Sequence, residues 1–313
     1  MAVSEFGLIE RYFKQQTVNN PTTRLGIGDD CALLSIPAGV ELALTTDTMV
    51  ENIHFLANAN PEWLGHKLLA VNLSDLASMG AKPLSVLLAL TLPSVDEQWL
   101  SRFAQGFLNL ARRYNVDLIG GDTTAGALTL TVQALGLVPA NTAMKRSTAQ
   151  IGDLVCMTGL LGEAGLGLKI AQGHYTCADG EAALARLHRP EPQIAAGLAL
   201  REFASACIDI SDGLAADLGH IAAQSGVGAC LEWACLPLSP QVKHYIATTG
   251  DWQMPLGAGD DYELCFTISP AKLKSLAIPY TQIGIIDQGD GVRITQSGST
   301  QPLSRQGYEH FSQ

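Results

Sequence analysis

Apolar positions along the chain switch repeatedly between a period of two and a period near 3.6, the signature of alternating strands and helices. Residues 4–16 read as an amphipathic helix and 42–46 as a short strand. Residues 61–79 form a second helix, with Pro61 at its start and Gly80 just past its end. A strongly apolar strand over 84–92 stops at Pro93, and Ser94 with Glu97 reads as a capping box for a helix running to about Tyr114. A buried strand over 116–119 and an alternating one over 128–138 complete the first half. The turn-rich stretch Pro139-Ala140-Asn141-Thr142 and the sequence Ile151-Gly152-Asp153 mark a boundary, giving domains over 1–140 and 150–313. The second half offers strands at 154–157, 207–210, 228–232, 262–267 and 282–286. Its predicted helices cover 163–171, 192–204 and 213–224. The fold class is therefore α/β or α+β, in two domains.

Composition narrows the class. The chain has 313 residues, 47% hydrophobic and 16% charged, which suits a globular protein with ordinary cores. No apolar run is long enough to cross a bilayer, and the start Met1-Ala2-Val3-Ser4-Glu5-Phe6 has no basic region leading into an apolar stretch. The seven cysteines are scattered and contain no Cys-x-x-Cys pair, which speaks against a zinc site or a disulfide framework and for a reducing cytoplasm. A formal net charge of −11 disfavours nucleic acid and anionic membranes as partners.

The acidic residues also change the chemistry. Asp29 and Asp30 follow a glycine turn, Asp47 is placed at a strand end, and Asp75 lies inside a helix. Asp122 is placed at the end of a buried strand, and Asp209 and Asp212 bracket Ile210-Ser211 before a helix. Any one of these is as well read as a turn or cap aspartate. Taken together, beside Gly, Ser and Thr, they form a set of hard oxygen donors that suits Mg²⁺, with Thr45 and Thr46 adding oxygens. The adjacent glycines let backbone approach phosphate.

Familiar nucleotide motifs are missing. Gly162–Lys169 misplaces the lysine of a P-loop, and His188-Arg189-Pro190 lacks the aspartate of a protein-kinase catalytic loop. Lys145 and Arg146 are either phosphate contacts or a solvated linker, and His54 is either an anion contact or a surface histidine.

The joint pattern resembles the aminoimidazole-ribonucleotide synthetase superfamily. The matching residues are Gly26-Ile27-Gly28-Asp29-Asp30, Thr45-Thr46-Asp47, Asn72-x-Ser74-Asp75, Gly120-Gly121-Asp122-Thr123, Gly159-x-x-Gly162 and Asp209-Ile-Ser-Asp-Gly-Leu214. Within it, Glu51-x-x-His54-Phe55 and Gly259-Asp-Asp-Tyr-Glu-Leu264 are similar to the thiamine-monophosphate kinase family. The resemblance implies a two-domain fold whose N-terminal sheet domains pair in a homodimer, with ATP near the interface and a C-terminal α/β domain. It implies magnesium ions held by Asp30, Thr45, Thr46, Asp47, Asp75, Asp122, Asp209 and Asp212. ATP would meet Gly121, Asp122, Arg146 and Ser211, and thiamine monophosphate would meet His54 and Glu263. The family's C-terminal aromatic, often Trp, is Tyr308 here. The implied reaction is direct in-line transfer from ATP to thiamine monophosphate, with no general base. The alternatives are an ATP-dependent ligase of the same superfamily, a metal-dependent phosphohydrolase, or a non-catalytic metal-stabilised dimer. The apolar run over 84–92 points to a dimer as well, since a small domain alone covers two apolar strand faces poorly.

Overall fold

The computed structural model describes residues 5–14, 20–303 and 307, with the side chains of all but the first two. The chain divides into two units, Met1–Leu76 with Ala81–Asn141, and Ala77–Gly80 with Thr142–Gln313.

The first unit opens with α1 (Glu5–Tyr12) and a small hairpin of β1 (Thr23–Leu25) and β2 (Leu33–Leu34). The helix expected over 4–16 ends earlier than its pattern suggested, with residues 4, 15 and 16 lying outside the described residues. β3 (Val40–Val50), α2 (Pro61–Ser78), β4 (Lys82–Leu92), α3 (Glu97–Tyr114), β5 (Asp117–Ala125) and β6 (Thr129–Pro139) follow. The four long strands form one sheet in the order β3-β6-β4-β5. β4 and β5 are parallel, as a strand–helix–strand crossover through α3 requires.

α3 is capped by Asp96, which accepts the N–H groups of Gln98 and Trp99 at 2.9 and 3.0 Å. The capping box expected from Ser94 is therefore displaced by two residues. Asp96 is itself a strong N-cap residue and stands immediately before the first helical turn. α2 and α3 cross closely at two glycines. A Cβ on Gly106 would overlap the Glu62 carbonyl, and one on Gly65 would overlap that of Phe103. Phe103 and Phe107 are fully buried beside them.

β4 has its residues Val86, Leu88, Leu90 and Leu92 buried, while Leu87, Ala89 and Thr91 on the opposite face are only half-buried. The run that looked apolar on both faces is thus covered fully on one face.

In the second unit β7 (Leu154–Met157) leads to α4 (Glu163–Ala171), α5 (Glu181–His188) and α6 (Ile194–Leu200). β8 (Ala206–Asp209), α7 (Leu214–Ser225) and β9 (Gly228–Glu232) come next, then a 3-10 turn (Trp233–Cys235), α8 (Pro240–Thr249) and α9 (Met254–Gly257). β10 (Leu264–Ile268), α10 (Pro270–Leu273), β11 (Thr281–Asp287), β12 (Val292–Gln296) and β13 (Ser299–Pro302) close the unit. The sheet runs β13-β12-β9-β11-β7-β10-β8. Its core packs Val155, Met157, Ile208, Leu218, Ile221, Leu231 and Ile283 together. β10 lies antiparallel between β7 and β8, so the loops leaving β7 and β8 and the loop entering β10 share one end of the sheet.

Candidate functional site

Side chains alternate across a strand, and in the first unit this decides which candidates meet. One cross-strand row runs Thr46, Gln133, Leu87 and Gly120, and the next runs Thr48, Thr131, Ala89 and Asp122. The first row, and Thr131, Ala89 and Asp122 of the second, floor a cavity of about 1250 Å³. Its walls are Ile9 of α1, Phe13 and Lys14 just after that helix, and the turn Gly28-Asp29-Asp30. Asp30, Thr46, Gly121 and Asp122 therefore belong to one cavity.

Thr45 and Asp47 fall on the other face of the same sheet. There the Thr45 hydroxyl donates to the Asp75 carboxylate of α2. Asp47 and Asp122 do not end their strands, as their polar neighbours had suggested. Asp47 pairs with Val132 inside β3, and Asp122 with Ala89 inside β5. Both strands are edges of this sheet, where one flank needs no ladder partner and polar residues are tolerated.

Gly121 has φ of +151°, and a Cβ there would overlap the Leu88 carbonyl oxygen, so β5 approaches β4 more closely than a side chain permits. Asp117 anchors the start of β5, accepting the Asn20 N–H at 3.1 Å and the Thr23 hydroxyl at 2.9 Å. His54 sits in the turn after β3, where its Nδ1 accepts the Val50 N–H at 2.9 Å. That bond fixes the neutral ring as the tautomer protonated on Nε2.

In the second unit three loops gather at the shared sheet end. Glu263 is only 1% exposed. Its Oε2 accepts the Thr158 hydroxyl at 2.6 Å, and its Oε1 pairs with Arg186, which also stands 3.7 Å from Glu163. Burial pushes the Glu263 carboxyl up, and Arg186 pulls it back. Gly159 is required there because a Cβ would overlap the Glu263 carboxylate.

Asp261 is buried and accepts the Gly162 and Ala164 N–H groups at 2.9 and 3.3 Å, at the entry of α4. Burial raises its pKa to about 7. Asp217 is buried too, and burial followed by the Asp212 charge lifts it to about 7. Asp209 is buried at the end of β8, and Ser211 and Asp212 are half-buried in the loop that follows. Arg146 is half-buried, and its carbonyl accepts the Ser225 hydroxyl at 2.9 Å. Tyr308 lies outside the described residues, although its neighbour Gly307 rests against Asp212 and Ala216.

Among the described residues, no three His, Cys, Asp or Glu side chains stand together closely enough to hold a metal ion. Among the described residues, no helix is long and apolar enough to cross a membrane. Thr158, Arg186 and Asp217 escaped the sequence reading, and Asp261 was given no role in it. Asp261 lies in the Gly-Asp-Asp-Tyr-Glu-Leu motif that the reading singled out, and Asp217 was hidden by its helix.

Residues 28–138, which include the cavity floor and its Gly28–Asp30 turn, match the family model "AIR synthase related protein, N-terminal domain". Over its whole length the chain is 46% identical to the thiamine-monophosphate kinase of Haemophilus influenzae, covering 99% of that protein. The crystal structure of the thiamine-monophosphate kinase from Stenotrophomonas maltophilia is 42% identical and superposes with a TM-score of 0.86, over 96% of this chain and 99% of that one. The structure of AaThiL complexed with AMPPCP and TMP is 30% identical, with a TM-score of 0.81 over 99% and 97% of the two chains. The fold and the full-length likeness to these enzymes define a phosphotransferase of the AIR synthase-related class. Within that class the chain belongs to the thiamine-monophosphate kinase family.

Proposed function

We propose that the chain transfers the γ-phosphoryl group of ATP to the phosphate of thiamine monophosphate, giving thiamine diphosphate and ADP. The observation that carries this is 46% identity over the full length to a thiamine-monophosphate kinase, together with likeness to a relative complexed with AMPPCP and TMP. A phosphate oxygen of the acceptor forms the new bond to Pγ as the bond to the β-bridging oxygen breaks. The acceptor's second pKa is about 6, so near neutral pH it is mostly a dianion and needs no base to remove a proton. The protein's work is to align two anions and to exclude water.

His54 supports this division of labour. With Nδ1 accepting from Val50, the neutral ring carries its proton on Nε2, a donor of the kind that can hold an acceptor oxygen. Gly121, Asp122, Arg146 and Ser211 are assigned to ATP, and Glu263 and Tyr308 to the thiamine moiety. In this reading Arg186 and Thr158 keep Glu263 oriented.

Several Mg²⁺ ions would be held by Asp30, Thr45, Thr46, Asp47, Asp75, Asp122, Asp209 and Asp212. These donors are all oxygens, and the Thr45–Asp75 contact already puts a hydroxyl on a carboxylate, which fits a hard divalent cation. Mg²⁺ retains waters and shares ligands with phosphates, so a cage of three protein carboxylates is not required. Bound there, it would neutralise charge on the transferring group.

We also infer a cytoplasmic homodimer joined through the first unit. β3 is an eleven-residue edge strand that carries Leu44 55% exposed, and a long bare edge of this kind favours symmetric pairing. The deciding experiment is ADP release. It should require thiamine monophosphate and yield thiamine diphosphate. Release of free phosphate instead would indicate a hydrolase or a ligase half-reaction.

A further inference from the structure

The loop between β8 and α7 has its backbone engaged on both sides. On one side Asp217 Oδ2 accepts three successive N–H groups, those of Ser211, Asp212 and Gly213, at 3.0, 3.1 and 3.1 Å. On the other, the Ile210 carbonyl accepts the Tyr262 N–H at 2.8 Å and the Ser211 carbonyl accepts that of Asp260 at 2.9 Å. Ile210 N–H in turn donates to the Glu263 carbonyl at 2.8 Å. Gly259 and Gly213 let the segments touch. A Cβ on Gly259 would overlap the Ser211 carbonyl, and one on Gly213 would sit 2.8 Å from the Gly257 Cα.

An aspartate in the first turn of a helix ordinarily complements the helix dipole or caps that turn. Asp217 does something else. The N–H groups it accepts belong to the loop before the helix, and the residue is 2% exposed, a position in which a charge is costly to bury. Its three bonds also use up the donors with which a glycine-rich loop would cradle phosphate directly. Recognition at this loop is then left to side chains, the half-buried Ser211 and Asp212.

We propose that Asp217 is a positioning residue, holding the 210–213 backbone so that Ser211 meets the nucleotide and Asp212 the magnesium ion bound with it. This rests on the kinase reading for the roles of those two residues.

The test uses the full chain with Asp217→Ala, Asp217→Asn and Ser211→Ala, measuring KM for ATP and for thiamine monophosphate separately, each at saturating Mg²⁺. Asp217→Ala should raise KM for ATP by about tenfold or more and leave KM for thiamine monophosphate within about twofold. Asp217→Asn keeps an acceptor oxygen and should fall between it and the wild type. An equal rise in both constants, or no rise, overturns the proposal. If Asp217→Ala does not fold, Asp217→Asn decides alone: a rise of about threefold confined to ATP supports the proposal, and no change overturns it. Ser211→Ala separates the two layers. If it raises KM for ATP while the Asp217 variants do not, only the positioning role fails. If it leaves KM for ATP untouched, the nucleotide assignment of the loop fails and the proposal falls with it.

Discussion

The Thr158 hydroxyl bridges two partners, donating to Glu263 Oε2 at 2.6 Å while accepting the Leu264 N–H at 2.9 Å. Thr158→Val keeps the shape and removes both bonds, leaving a buried amide and a buried carboxylate oxygen without partners. The expected loss is about 1–3 kcal/mol for each buried group so orphaned. Thr158→Ser keeps the hydroxyl and should lose far less. Urea unfolding of the two variants beside wild type measures the difference, and equal stability of Val and Ser would refute the bridging role.

Metal dependence follows from charge. ATP brings about four negative charges and the acceptor up to about two, to be placed beside Asp30, Asp122 and their neighbours. Nucleotide binding should therefore need Mg²⁺. Asp122→Asn and Asp47→Asn should reduce turnover at least about a hundredfold while circular dichroism stays native. Calorimetry in excess chelator provides the check: equally tight ATP binding there would sink this account.

His54 should bind rather than take a proton. With Nδ1 held by the Val50 N–H, His54→Asn should weaken thiamine monophosphate affinity more than it slows the bound complex. The acid limb of kcat/KM should persist in the variant, because it belongs to the substrate's own phosphate near pH 6. Disappearance of that limb with affinity unchanged would make His54 a general base.

Stability should fall as pH rises through the range set by Asp261. Its folded pKa of about 7 stands above the ordinary 3.8, so the folded chain binds this proton more tightly than the unfolded one does. The resulting stabilisation is full below about pH 4 and lost by about pH 7. Asp261→Asn keeps an acceptor oxygen for only one of the Gly162 and Ala164 N–H groups, which lowers stability at every pH, but it has no charge to bury. Between pH 5 and 8 its unfolding midpoint should drop less than that of wild type, and parallel slopes would contradict the assignment.

The elements with strong periodicity or clear punctuation were legible in the sequence. The helix expected over 61–79 is α2, bounded by Pro61 and Gly80, and the strand over 84–92 is contained in β4. What stayed hidden depends on neighbours rather than on pattern. α5 and α8 carry short, mixed stretches, and nothing in Glu181–His188 by itself says that it packs on α4. β3 and β5 run past their apolar cores into Thr, Gly and Asp, because edge strands carry polar residues that a pattern reads as strand ends. The aspartates were visible as a set. That Thr45 and Thr46 point to opposite faces follows from the pleat, but only once β3 was known to continue through them. Arg186 could not be joined to Glu263 from sequence, since 77 positions separate them and no periodicity links a helix to a loop.

Gly121 shows how a position with no side chain can govern one that has a reactive carboxylate. Even alanine there would act as a wedge between β5 and β4, and the rungs of the ladder that aim Asp122 would spread with it. Mutational tolerance at this point of the chain is therefore close to nil by geometry alone. A screen for inactive variants that still fold should recover it beside the aspartates, although it offers no chemistry of its own.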